Sequence, residues 1–305
     1  LDLYRRDFTI NTLAIILNPR KFGRLIDFFS AQKDIKDKAV RVLHNLSFVE
    51  DPTRVFRAIR FEQRFGFTIG KLTSGLIENA VKMDFFKRLS GKRVFSELRI
   101  IFMEENPVNS IIRLNDYNLL NIIHPSIKLD NRMILLLNSA KKVLSWYDLL
   151  FIEEDYHRWA VFFMVFTSGC DKKISENICA NLEIPPKFVR NFCENRFKAD
   201  RTLCWFEQNM PVKNSTIYHN LKGFKTELIL YMMAVTKSRE SKRAMSLYFT
   251  RLRHTKTVIR GKDLKEMGFE PGPVFSKLLD QVLDAKLNGT VKTVNDEIKF
   301  VKKML

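Results

Sequence analysis

Glu50-Asp51-Pro52-Thr53-Arg54-Val55-Phe56-Arg57-Ala58-Ile59-Arg60-Phe61 reads as the opening of a helix with two unlike sides. Asp51 can accept from the backbone donors left open at a helix start, and proline fits the first helical position. At about 100° per residue, Arg54, Arg57, Arg60 and Arg64 fall in one broad arc, while Val55, Phe56, Ala58 and Ile59 fill the opposite one. The apolar arc calls for a buried core, so the arginines nearest the start are held on a packed scaffold. A carboxylate and a guanidinium one turn apart can read the edge of a nucleobase. Asp51 would accept from an exocyclic amino group and Arg54 would donate to the neighbouring ring nitrogen or carbonyl, a pattern offered by cytosine and adenine. Uracil and guanine present a carbonyl to the carboxylate instead, at a cost of about 1–3 kcal/mol. Arg60 and Arg64, farther along, are expected to form a solvated basic face.

Working outward, the apolar residues after Asp51 recur at helical spacing. Breaks fall near Gly66, Gly70, Pro107, Pro125, Pro185-Pro186, Pro211 and the loop from Gly268 to Pro273. Strand character is confined to the segments before Asp51, at Arg24–Phe29 and Ala39–Leu43, which are short and branched and end in turn or charged residues. Nearer the start, Asp7 can cap a helix whose Ile10, Leu13, Ala14 and Leu17 form an apolar stripe and whose Asn11 neighbours Asp7. Arg5 and Arg6 then sit before a helix N-terminus, a corner suited to a triphosphate. Arg93 and Glu97 have the i, i+4 spacing of an intrahelical ion pair. Asp34 and Asp37 flank lysines in an expected turn, and Glu153-Glu154-Asp155 reads as an exposed acidic run.

The chain has 305 residues, a formal charge of +18 and a pI near 9.8. That length supports a sizeable core in two or more packed units, and the charge points to a polyanionic partner, nucleic acid ahead of an anionic membrane. The excess is +9 over residues 1–100, +4 over 101–250 and +5 over 251–305, so the two ends are the more basic by density. Cys170, Cys179, Cys193 and Cys204 lack a zinc-finger spacing, and the five histidines form no ligand pattern. A reduced cytosolic setting follows. The apolar runs Trp159–Phe166 and Leu228–Val235 are far shorter than the roughly 20 residues that cross a bilayer, so no membrane partner is expected.

Glu50-Asp51-x-x-Arg54 resembles the nucleotide-template motif of class II tRNA nucleotidyltransferases, the CCA-adding enzymes and bacterial poly(A) polymerases. Arg5-Arg6-Asp7-Phe8-Thr9-Ile10-Asn11-Thr12-Leu13-Ala14 is similar to that family's Arg-Arg-Asp-Phe-Thr-x-Asn-Ala motif, associated with triphosphate binding and ribose selection. Gly23–Phe29 resembles the lead-in to a Gly-Gly-x-x-Asp-Leu stretch, with Ser30 and Ala31 where the glycines stand. Non-glycine residues resist positive φ there. Gly91-Lys92-Arg93-Val94-Phe95-Ser96-Glu97-Leu98 resembles the last neck motif, with Lys92 where an acidic residue is common. Ile259-Arg260-Gly261-Lys262-Asp263-Leu264, with Gly268 and Pro271-Gly272-Pro273, is similar to a tail signature of bacterial members.

The resemblance implies a mainly α fold: the remnant of a small α/β nucleotidyltransferase head (residues 1–46), then a helical neck with the template motif (47–110), a helical body (111–240) and an RNA-binding helical tail (241–305), together elongated. It implies transfer of CMP or AMP from CTP or ATP to the 3′ end of tRNA, held by its acceptor and T arms, in the cytoplasm. Within that function Asp51 and Arg54 would select the base and Arg57 would support them or touch phosphate. Arg5, Arg6, Asp7 and Asn11 would shape the triphosphate and ribose site, and Arg251, Arg253, Lys256 and Arg260 in the tail, interleaved with Tyr248 and Phe249, would bind RNA phosphates. Mg2+ would be bound by carboxylates of an Asp-x-Asp strand that the family carries upstream of its Arg-Arg-Asp motif. The chain starts at Leu1, immediately before that motif, so it is expected to be a fragment inactive alone, with its metal ligands and catalytic residues outside it. The alternatives are a poly(A) polymerase of the same family and a non-catalytic RNA-binding module.

Overall fold

The structure is a computed structural model that describes residues 2–270 and 272–304; Pro271 of the tail signature lies outside the described residues. The fold is mainly α, with 66% of residues helical and 3% in strands. The chain divides into two units, one of residues 1–141 and 157–194, the other of residues 142–156 and 195–305. The segment 111–240 contributes to both.

The first unit begins with short elements. β1 (Ala14–Ile15) pairs antiparallel with β2 (Leu25–Ile26). Asp27 then accepts from the backbone of Ala31 at 2.8 Å and of Gln32 at 3.0 Å, opening α1 (Ala31–Lys36). Those hydrogen bonds, Gln32's first, hold the Asp27 carboxyl below its ordinary value. Ser30 takes φ +61° there, the left-handed conformation that its glycine-like position called for. β3 (Ala39–Val40) runs parallel to β4 (Thr68–Ile69), so strand pairing reaches beyond Asp51, where only helix was expected. Two further expectations fail nearby. Asp7 opens no amphipathic helix: a 3-10 turn at Thr9–Asn11 leads into β1, because the stripe residues Leu13 and Ala14 belong to the sheet connection. Asp34 lies in α1 rather than a turn and is buried, bonded to Thr9 Oγ1 at 2.5 Å and to the Arg41 guanidinium.

α2 (Ser47–Glu50) precedes α3 (Thr53–Phe65), the helix read from Asp51. Val55, Phe56, Ala58 and Ile59 are fully buried. Gly66 ends α3 at φ +63°, and Phe67 N closes on Glu62 O at 2.9 Å. The buried Glu62 carboxylate accepts from Ile69 N at 3.0 Å and Arg113 Nε at 2.8 Å, tying β4 and α6 (Pro107–Asp116) to α3. α4 (Lys71–Lys82) and α5 (Gly91–Met103) lie between them in sequence. After α7 (Leu120–Ile123) and α8 (Asn131–Asp148), α9 (Arg158–Phe166) packs on α5 through Phe95 and Trp159, 5.4 Å apart edge to face, and the stacked pair Phe102 and Phe162 at 5.9 Å. α10 (Lys172–Asn181) and α11 (Pro186–Arg190) follow.

The second unit holds α12 (Arg196–Asn209), α13 (Asn214–Leu221), α14 (Thr226–Val235) and α15 (Arg239–Thr250). The buried Phe249 packs on Tyr147 at 4.9 Å. Glu154, expected in an exposed run, pairs with Arg253 and accepts from Thr226 Oγ1 at 2.8 Å. α16 (Gly261–Glu266), α17 (Pro273–Leu287) and α18 (Val294–Lys302) share a core of Ile259, Leu264, Leu278, Val282 and Val301. Fully buried Glu297 fixes the tail signature to it, accepting from Val258 N and Ile259 N, each at 2.9 Å, and from Lys286 Nζ at 2.5 Å. Among the described residues no helix is long and apolar enough to cross a membrane.

Candidate nucleotide site

All seven residues read as nucleotide-binding, Arg5, Arg6, Asp7, Asn11, Asp51, Arg54 and Arg57, line one cleft of about 430 Å³ in the first unit. Thr53, Arg93 and Glu97 complete its lining. The cleft sets five arginines against three carboxylates, an excess of positive charge suited to a polyanion such as a triphosphate.

Asp7 is the pivot on one side. Its Oδ1 accepts from Phe8 N at 3.0 Å and Asn11 Nδ2 at 2.9 Å, and its Oδ2 takes Arg57 Nε at 2.6 Å. Asn11 is thereby fixed beside Asp7, as the sequence placed it, by a 3-10 turn instead of a helix. Arg5 and Arg6 are exposed at the rim, with Arg6 paired to Asp2 at 2.9 Å. The Arg54 guanidinium is held by Ser47 Oγ at 2.8 Å and by the carbonyl of Arg5 at 3.3 Å, with Glu50 at 3.6 Å. The first turn of α3 thus joins the segment that carries Arg5, Arg6 and Asp7.

Asp51 does cap the start of α3: its Oδ1 accepts from Thr53 N at 3.0 Å and from Thr53 Oγ1 at 2.6 Å. Its Oδ2 accepts from Arg93 at 2.8 Å across 42 residues of sequence. Burial raises the Asp51 carboxyl, but the Thr53 hydrogen bonds and the Arg93 charge outweigh it and hold the group below the ordinary carboxylate value. Asp51 is therefore an ionised acceptor at neutral pH.

Two expectations about charge are corrected. Arg93 and Glu97 form no intrahelical pair, because Arg93 finds its partner just before α3 and Glu97 finds its partners on α3. Arg93 binds Asp51, and Glu97 sits 3.9 Å from both Arg57 and Arg60. Arg60 is buried, not solvated, in a ladder that runs Arg57, Glu97, Arg60, Glu104, Arg64; Arg64, half-exposed, ends it at 2.9 Å from Glu104. Burial pushes the Glu97 carboxyl up, against the opposing pull of Arg60 and Arg57. One of its oxygens, Oε2, accepts no hydrogen bond. The sequence reading missed Thr53 and the cleft roles of Arg93 and Glu97. The available signal was a threonine two residues after a capping aspartate, the position whose backbone donor such a cap satisfies.

In the second unit Arg251, Lys256 and Arg260 are exposed, whereas Arg253 is half-buried and tied to Glu154. Tyr248 and Phe249 are buried, so they serve the core and offer no stacking face.

The cleft sets an ionised carboxylate and a guanidinium one turn apart under a basic rim, and the helical chain around it is similar to known proteins. Residues 1–41 match the family described as poly A polymerase head domain, and residues 66–130 that described as probable RNA and SrmB- binding site of polymerase A. An A-adding tRNA nucleotidyltransferase of Geobacter sulfurreducens is 44% identical over 100% of this chain and 35% of its own length. The Thermotoga maritima CCA-adding enzyme solved with tRNA superposes with TM-score 0.80 at 32% identity, over 100% of this chain and 73% of that one. A CCA-adding enzyme solved with ATP gives 0.78 at 31%, over 100% and 71%. The chain belongs to the tRNA nucleotidyltransferase and poly(A) polymerase family. It spans about a third of the length of the first curated relatives it matches.

Proposed function

We propose that this chain carries the base-selecting and RNA-holding part of a tRNA nucleotidyltransferase that transfers CMP or AMP from CTP or ATP to the 3′ end of tRNA in the cytoplasm. The carrying observation is the single cleft in which both sequence-read groups, Arg5 to Asn11 and Asp51 to Arg57, converge. In this reading Asp51 accepts from the exocyclic amino group of cytosine or adenine while Arg54, held by Ser47 and the Arg5 carbonyl, donates to the adjacent ring atom. Arg57 and Asn11 keep Asp7 oriented towards the ribose, and Arg5 and Arg6 neutralise phosphate charge. Exposed Arg251, Lys256 and Arg260 contact the backbone of the acceptor and T arms. Head, neck, body and tail are the functional division we assign to residues 1–46, 47–110, 111–240 and 241–305.

Nucleotidyl transfer of this kind uses Mg2+, which activates the attacking 3′-hydroxyl and neutralises the phosphates. The acidic residues of the cleft do not fit that ion: Asp7, Asp51 and Glu97 each face an arginine, and among the described residues no three His, Cys, Asp or Glu side chains are grouped to hold a metal. Their work here is selection and positioning.

Equilibrium dialysis of the chain against ATP, CTP, GTP and UTP tests the reading. ATP and CTP are expected to bind more tightly than GTP and UTP, by roughly fivefold or more. Asp51→Ala is expected to abolish the preference while leaving affinity for a tRNA acceptor-arm hairpin unchanged; a preference that survives Asp51→Ala refutes the role of Asp51. Long A tails added by the full-length parent to any RNA would favour a poly(A) polymerase, and binding of the hairpin without any nucleotide an RNA-binding module.

A further inference from the structure

The base-reading role of Asp51, on which this inference rests, leaves open which of its oxygens meets the base and what aims it. A carboxylate offers about four acceptor positions, two on each oxygen. Both positions on Oδ1 are used, by Thr53 N and Thr53 Oγ1. On Oδ2 one is used, by Arg93, and one stays open. The Arg93 guanidinium also donates to Thr53 Oγ1 at 3.3 Å, so the three side chains form a closed ring that fixes the plane of the carboxylate. About half of the Arg93 side chain and a quarter of the Asp51 side chain face solvent, on the side of the cleft.

We infer that Oδ2 of Asp51 is the base-reading atom and that Arg93 and Thr53 are positioning residues for base selection: they occupy three of the four acceptor positions and leave one, aimed into the cleft, for an exocyclic amino group. Without Arg93 the carboxylate keeps its cap on α3 but loses the donor that sets the direction of Oδ2, and it can rotate to admit a water between itself and a carbonyl-bearing base. Arg93 reaches Asp51 from the first turn of α5, so the accuracy of reading depends on where that helix starts.

The test measures binding of ATP, CTP, GTP and UTP to the chain carrying Arg93→Ala, Arg93→Lys, Thr53→Val or Asp51→Asn, with a melting curve for each. Arg93→Ala is expected to bring the ratio of ATP to GTP affinity from roughly tenfold towards one, chiefly by tightening GTP and UTP. Thr53→Val should do so in part, and Arg93→Lys should restore part of the ratio, since an ammonium can still donate to Oδ2. A uniform loss of affinity for all four nucleotides in Arg93→Ala, with the ratio kept, would mean that Arg93 contacts phosphate and would overturn the inference. A ratio unchanged in Arg93→Ala but lost in Asp51→Asn would overturn it too while leaving the base-reading role of Asp51 intact. A ratio unchanged in Asp51→Asn would remove that role itself.

Discussion

Gly91→Ala puts the coupling between helix packing and the cleft under direct stress. Gly91 opens α5, and a Cβ built on it would lie 1.7 Å from the Asn181 carbonyl oxygen, 2.7 Å from its carbon and 2.8 Å from Leu182 Cα. All three are backbone atoms at the end of α10, so no side chain can swing aside. Alanine gains at most about 1 kcal/mol over glycine in helix propensity. Overpacking of a tight contact costs about 1–3 kcal/mol, and a clash with backbone belongs at the upper end. The net expectation is a loss of about 1–2 kcal/mol, which in urea lowers the midpoint by about 0.5–1 M. Trp159 reports the interface, since it packs on Phe95 of the same helix; changing Trp146 and Trp205, both in the second unit, to Phe leaves its fluorescence alone. Gly75→Ala is the control: that glycine lies inside α4 with no atom within 4 Å of the new Cβ, so it should gain about 0.5–1 kcal/mol. A Gly91→Ala midpoint at or above the parent's, or an equal fall in Gly75→Ala, would refute the reasoning.

Three further outcomes are expected. Arg57→Ala strips the buried Asp7 carboxylate of its cation and leaves Glu97 with Arg60 alone; breaking a fully buried pair costs about 3–5 kcal/mol, and partial exposure of Arg57 reduces this to about 1–3 kcal/mol in urea unfolding, against about 0.5 kcal/mol or less for the half-exposed Arg64→Ala. In the second unit, burial and the neighbouring Asp200 push the Tyr231 phenol well up from its ordinary value. A raised folded value means its contribution is full below the unfolded value near 10 and is lost as pH rises further, so unfolding followed from pH 9 to 11 should steepen above pH 10 in the parent and flatten in Tyr231→Phe. Removing Arg251, Lys256 or Arg260 is expected to lower the slope of log affinity against log salt for an RNA hairpin by about 1 each. Arg253→Ala, which frees Glu154, should cost stability of the second unit and change that slope less.

The residues of α3 illustrate how much was legible. Its start at Asp51 and Pro52, its buried Val55, Phe56, Ala58 and Ile59 and its arginine arc all follow from 3.6-residue periodicity and capping, which are properties of a dozen neighbouring residues. The motif around Arg5 and the motif around Asp51 were each readable, and the resemblance that joined them was right about the family. The short strands were not readable in full. Thr68–Ile69 carries too little pattern to separate it from a helix-to-helix loop, and Ala14–Ile15 sits in a stretch whose apolar spacing suits a helix equally well.

By itself, the sequence determined the local chemistry: a mainly helical chain, a basic surface, the helix that presents Asp51 and Arg54, and the second basic segment that belongs beside it. Only the tertiary structure decided which charge meets which. An i, i+4 pair such as Arg93 and Glu97 has the same spacing whether its partners lie on its own helix or on another. The packing of α5 against α3 gave Arg93 to Asp51 and put Glu97 between Arg57 and Arg60. The reason is desolvation. On a solvated helix an i, i+4 pair is worth only a few tenths of a kcal/mol, whereas a carboxylate enclosed between two helices must take whatever cation the packing supplies. That choice lies in the fold.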